Sequence, residues 1–127
     1  MPEMWERVAL VALGGALGSV LRYAVAGVVN QQLGPSVLGT FVVNITGAAV
    51  LGLFLGLADG RFLIPSLGRV TIAIGLLGGY TTFSTLAFET VDLAESGSWL
   101  TAALNSGGSL AAGLLAVYAG LVIGRTV

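Results

Sequence analysis

The sequence predicts an all-α membrane protein: one domain over residues 1–127, built from four transmembrane helices. Three observations carry this. Charged residues are 9% of the chain and hydrophobic ones 56%, whereas a soluble domain carries roughly a quarter charged residues, so this chain cannot coat its own surface in water. Mean hydropathy is +0.99. The apolar residues also gather into four blocks, each near the ~20 residues needed to cross a hydrocarbon core.

The first block, Val8–Val29, is 22 residues long and interrupted by Arg22. Arg7 precedes it as in a secretion signal. The block exceeds the roughly 7–15 residues of a signal h-region, and Glu3 and Glu6 offset the arginine, so it reads as a retained span. The second, Leu38–Ala58, has 21 residues and one amide, Asn44. Val70–Phe88 is the third and carries the most polar stretch of the chain, GGYTTFSTLAFET at 78–90. The fourth, Trp99–Ile123, has 25 residues with Asn105, Ser106 and Ser109 in its first half. The connections at 30–36, 59–69 and 90–98 are too short for a soluble domain, which places function within the bilayer.

Composition excludes several classes. Five arginines, no lysine and a net charge of −1 leave no basic patch for nucleic acid. Without Cys or His there is no disulfide, no thiolate nucleophile and no ordinary soft-metal site. No nucleophile–base pair is visible, so the chain is not read as an enzyme.

Glycines punctuate the spans at intervals of four: Gly14 and Gly18, Gly52 and Gly56, Gly75 and Gly79, Gly120 and Gly124. Small residues so spaced let helix backbones approach closely in lipid. They serve packing within one subunit or association between two, and 20 glycines over four spans favour a dimer.

Polar side chains in hydrocarbon usually face a cavity, a partner or water. A lone Ser or Thr often bonds a carbonyl one turn back, the ordinary reading for Thr40, Thr46 and Ser106. Asn44, near the centre of its span, glues helices or touches a permeant species. Arg22 either snorkels to the interface or concentrates anions at a vestibule. In the third span Thr82, Thr85 and Glu89 share one helical stripe. Gly78-Gly79 is a weak point where the helix can unwind, and unwound backbone at membrane depth must be buried or line a cavity. Hydroxyls, an amide and aromatic edges suit a small, strongly hydrogen-bonding anion better than a cation. The alternative is an ordinary glycine kink with internally satisfied threonines.

Three motifs, GGALGSVLRY at 14–23, GTFVVNITG at 39–47 and GLLGGYTTFSTL at 75–86, resemble those of the CrcB/Fluc family of small fluoride channels, over essentially the whole chain. The resemblance implies passive, fluoride-selective export across the inner (plasma) membrane. It implies an antiparallel, dual-topology homodimer with two pores, a break in the third helix and a central structural sodium ion. By matching positions, the fluoride pathway would comprise Arg22, Asn44, Thr82, Phe83, Thr85, Glu89 and Ser109. Backbone carbonyls of Gly78 and Thr81 would hold the sodium.

Two features depart from the family. Leu86 stands where a second phenylalanine is usual, and Phe88, five residues from Phe83, turns off that face. Arg7, Arg61, Arg69 and Arg125 lie on the side of the termini, against Arg22 alone near the other. Positive charge favours the cytoplasm, so the count predicts termini inside, whereas the family mode implies a near-even mixture. Two other functions compete. A small proton-coupled multidrug exporter needs a central carboxylate, and here the one acid near a span is Glu89, at an edge. A non-transporting assembly subunit would use Asn44 and the threonines as glue.

Overall fold

A computed structural model describes residues 3–60 and 62–127; Arg61, one of the arginines counted for orientation, lies outside them. Helix α1 is Met4–Leu33 and α2 is Leu38–Asp59. The third span has two helical parts. The first, α3, covers residues 66–80, with ordinary α-helical turns at Ser66–Arg69 and Gly78–Tyr80 flanking a wider π-helical stretch, Val70–Leu77. The second, α4, is Phe83–Glu95, and the fourth span, α5, is Trp99–Thr126. Among the described residues four rods are thus long and apolar enough to cross a membrane; α2 exceeds its apolar block by one residue and the others by several.

The ends follow local chemistry. Gly34, at φ 83°, takes the left-handed conformation that closes α1, and Pro35 follows where a helix could not continue. Ser36 Oγ accepts from Leu38 N–H at 3.2 Å at the start of α2. Arg69 donates to Ala58 O (3.1 Å) and Ile64 O (3.3 Å), capping α2 and holding Ile64 beside its end. Gly97, at φ 87°, makes the turn into α5.

Packing inside the chain is interleaved: α1 lies against α3, and α2 against α5. All four glycine pairs are spent on these two seams. A methyl at Gly14 would sit 2.6 Å from Thr71 O, and one at Gly18 would overlap Leu76 O. On the opposite side, methyls at Gly75 and Gly79 would lie 3.1 Å from Val11 O and 2.8 Å from Gly15 O. Gly52 faces Val117 O and Gly120 faces Ala49 O; Gly56 and Gly124 interlock beside them. Of the two uses the sequence left open for these glycines, packing within one subunit is the one seen here: they hold helices of one chain together. Few side chains are buried beyond that, with Val43 at 0% exposure the deepest. Tyr23, Phe83, Phe88, Leu114 and many other large apolar residues face outward, as lipid allows.

The third span departs from the expected geometry. Gly78 and Gly79 remain helical, and the extended residues are Thr81 (φ −81°, ψ 156°) and Thr82 (φ −146°, ψ 117°). Gly79 is clamped against the backbone of Gly15, so it cannot easily unwind. Just beyond it, the backbone groups of Thr82 find side-chain partners.

Candidate functional site

Those partners come from α2. Asn44 Oδ1 accepts from Thr82 N–H at 2.8 Å, and Asn44 Nδ2 donates to Thr82 O at 3.0 Å. One amide thus takes the place of the backbone bond that the Thr82 N–H forgoes and adds a donor to the Thr82 carbonyl, which helps tolerate non-helical backbone at this depth. In an unbroken helix Thr82 N–H would reach Gly78 O. Diverted to Asn44, it leaves that carbonyl free, and Gly78 and Thr81 both line the adjoining cavity. Gly79 O is taken by Arg22 Nε at 3.2 Å. Arg22 therefore braces the interruption from α1 rather than snorkelling away.

Thr82 also caps α4. Its hydroxyl accepts from Thr85 N–H (3.3 Å) and donates to Thr85 Oγ1 (3.1 Å), which leaves the Thr85 hydroxyl proton unassigned. Thr82 thus precedes the helix instead of belonging to its stripe. Farther along α4, Thr40 donates to Glu89 Oε1 at 2.7 Å, and Glu89 Oε2 is buried with no hydrogen-bond partner among the described residues. On α5, Asn105 donates to Thr90 at 3.2 Å. The plain reading of the isolated hydroxyls holds for Thr46, Thr71, Thr90 and Ser106, each bonded to the carbonyl four residues back.

Two open cavities flank this crossing. Groove 1, about 560 Å³, is lined by Arg22, Asn30, Gln31, Thr40, Thr82 and Thr85 among others. Groove 2, about 790 Å³, is lined by Asn44, Gly78, Thr81, Thr82, Phe83, Leu86 and Ser109 within a mostly apolar wall. The candidate residues therefore divide. Arg22 and Thr85 face groove 1; Asn44, Phe83 and Ser109 face groove 2; Thr82 lines both. Glu89 lines neither and touches groove 1 only through Thr40. Phe83 and Leu86 share groove 2, and Phe88 is outside it. Ser109 is 6% exposed, yet its Oγ has no partner among the described residues. Thr40 and Asn105 stood among the polar residues of the spans without a place in the pathway, and Thr40 bonds Glu89 rather than a carbonyl one turn back. The partners of Thr40 and Asn105, Glu89 and Thr90, lie on α4, and only the hydroxyl or amide in an apolar block signalled them.

The architecture is that of a small polytopic membrane protein in which neutral hydrogen-bond donors converge on one interrupted span. Comparison with known sequences narrows the class. The family model described as "CrcB-like protein, Camphor Resistance (CrcB)" matches residues 9–121. The chain is 42% identical over 123 residues to a protein of Nitratidesulfovibrio vulgaris named "Fluoride-specific ion channel FluC", covering 96% of this chain and 99% of that one. Proteins of the same name from Paramagnetospirillum magneticum (45% over 117 residues, 90% and 91% covered) and Magnetococcus marinus (42% over 122 residues, 95% and 99%) are similar. The chain belongs to the CrcB family.

Proposed function

We propose that this chain is a fluoride-selective channel for passive export across the cytoplasmic membrane. The observation that carries the reading is Ser109: a nearly buried hydroxyl with no partner among the described residues, facing groove 2 beside Asn44 and Phe83. A buried polar atom left unpaired is costly, and an anion passing through the groove would satisfy it. The relatives' names supply the identity of the ion.

The chemistry is consistent with that ion. Fluoride is a compact, strong hydrogen-bond acceptor, so its dehydration must be offset by several donors at close range. In groove 2 Ser109 offers a hydroxyl proton, Asn44 keeps one amide proton beyond the one given to Thr82, and Phe83 presents a ring whose edge is positive, while Thr85 offers a hydroxyl proton in groove 1. Arg22 supplies a fixed positive charge at groove 1. Glu89, bonded to Thr40, ends the hydroxyl series along α4.

The Gly78 carbonyl freed by Asn44, and that of Thr81, whose usual donor Thr85 N–H goes to Thr82 Oγ1, would suit a sodium ion, which takes oxygen ligands, and the ion would add positive charge near the anion path. Two carbonyls per chain are half of a four-oxygen cage, so an inverted second copy completes it. The same copy would cover groove 2 and Phe83, which is 82% exposed in the single chain. That gives an antiparallel homodimer with two pores. The exporter reading is weaker, since Glu89 sits at a span edge with one oxygen engaged by Thr40. The test is ion efflux from proteoliposomes holding purified protein. Fluoride should leave far faster than chloride, and comparable rates would refute the proposal.

A further inference from the structure

Tyr80 ends α3 and lines neither groove, yet it is held from two sides. Its backbone N lies against α1, where a methyl on Gly18 would stand 2.8 Å away. Its ring lies on α2, where a methyl on Gly47 would be 3.0 Å from Tyr80 Cδ1. Its hydroxyl is 2.9 Å from Thr46 Oγ1. Thr46 has one hydroxyl proton, and the carbonyls of Val42 (2.7 Å) and Val43 (3.2 Å) take it. Tyr80 is therefore the donor and Thr46 the acceptor.

The next residue is strung between two such anchors. Thr81 follows Tyr80, tied to Thr46, and precedes Thr82, tied to Asn44. At about 100° per residue, Gly47 falls between Thr46 and Asn44 around the circumference of α2, and a methyl there would overlap Thr81 Cγ2. The third span thus crosses α2 at a glycine, with a side-chain bond on each flank. Thr81 N–H and Oγ1 both go to Leu77 O, at 3.1 and 3.0 Å, so the Thr81 carbonyl is the backbone group left for these anchors to orient. We propose that Tyr80 is a positioning residue for the cation site. Its bond to Thr46 holds the near side of Thr81 while Asn44 holds the far side, fixing the direction of the Thr81 carbonyl. This rests on the sodium reading above and adds to it a residue outside both grooves.

The experiment measures thermal unfolding of full-length protein in detergent across a sodium series, with N-methylglucamine keeping the ionic strength constant. It reads the sodium concentration at which the rise in melting temperature is half complete. Tyr80→Phe keeps the ring on Gly47 and removes the bond. It should raise that concentration by up to about fivefold, the equivalent of one ordinary hydrogen bond of about 1 kcal/mol. Thr46→Val removes the acceptor and should match it, whereas Thr46→Ser keeps the acceptor and should behave as wild type. Tyr80→Phe combined with Thr46→Val should bind sodium no more weakly than either alone, because both remove the same bond. A hydroxyl that only stabilises the fold would lower the melting temperature equally at every sodium concentration, and that result overturns the proposal. Should Tyr80→Phe aggregate, the contrast between Thr46→Val and Thr46→Ser still decides. The wild-type protein separates the two levels of inference. If sodium raises its melting temperature no more than N-methylglucamine does, the cation reading falls and this proposal with it; a sodium response indifferent to Tyr80→Phe and Thr46→Val overturns the role of Tyr80 alone.

Discussion

Replacing Asn44 by alanine removes both bonds that hold Thr82, at 2.8 and 3.0 Å. Each is worth about 1 kcal/mol net, and a backbone group left dry costs about 1–3 kcal/mol. Thr82 borders both grooves, where water can reach it, so the lower end applies and the total is about 2–3 kcal/mol. For a chain of this length, 1 kcal/mol corresponds to about 4 °C in melting temperature, giving a fall of about 8–12 °C. Asn44→Asp keeps the acceptor for Thr82 N–H but turns an oxygen toward Thr82 O, so it should be no more stable than the alanine variant. The assay is thermal unfolding of purified protein in detergent, run beside fluoride efflux. If Asn44 touched only the permeant ion, alanine would lose flux and keep its melting temperature. An unchanged melting temperature therefore refutes the bracing role.

Gly120→Ala should lower stability by about 1–3 kcal/mol, the usual range for overpacking, because the added methyl would overlap Ala49 O and press on Leu53 N at 2.6 Å. Gly107→Ala, with nothing within 4 Å, should instead be neutral or gain about 0.5–1 kcal/mol from helix propensity; denaturation of both in one detergent checks the contrast. Phe83→Leu should nearly abolish fluoride efflux while leaving assembly intact on size exclusion, since it takes the one ring shared with Leu86 in groove 2. Leu86→Phe adds a second ring there and should conduct at least as fast as wild type; flux per protein for the two variants decides whether ring edges serve the path.

The spans were legible because hydrocarbon demands long apolar blocks, and each block is a rod in the structure. The polar stretch at 78–90 was legible as a site, since hydroxyls in oil need a reason. What holds it together was not. Asn44 and Thr82 are 38 residues apart, Thr40 and Glu89 49, and Arg22 and Gly79 57, distances at which no periodicity speaks. The glycine pattern announced close approach without saying between which helices, so association was as natural an inference as the internal seams observed. The position of the extended residues also escaped local reading. Gly78-Gly79 has the weaker propensity, but Gly15 clamps one and Asn44 rewards the departure at Thr82 instead. The π-helical turns of Val70–Leu77 left no trace in the hydrophobic pattern.

The interleaved seams bear on how such a chain is made. During synthesis α1 emerges first, and its Gly14–Gly18 face matches a backbone that is translated some 57 to 62 residues later, at Thr71, Leu76 and Tyr80. The face must wait in the bilayer, bare, while α2 is inserted with its own seam unfilled until α5 arrives. By mean hydropathy the third rod is the least apolar of the four, so it is the one least able to enter lipid unaided. The waiting groove on α1 and the amide of Asn44 on α2 offer it a prepared surface. Early helices then act as an internal chaperone for the segment that carries the polar residues, and mutations on the Gly14–Gly18 face would surface first as failed membrane integration of residues far downstream.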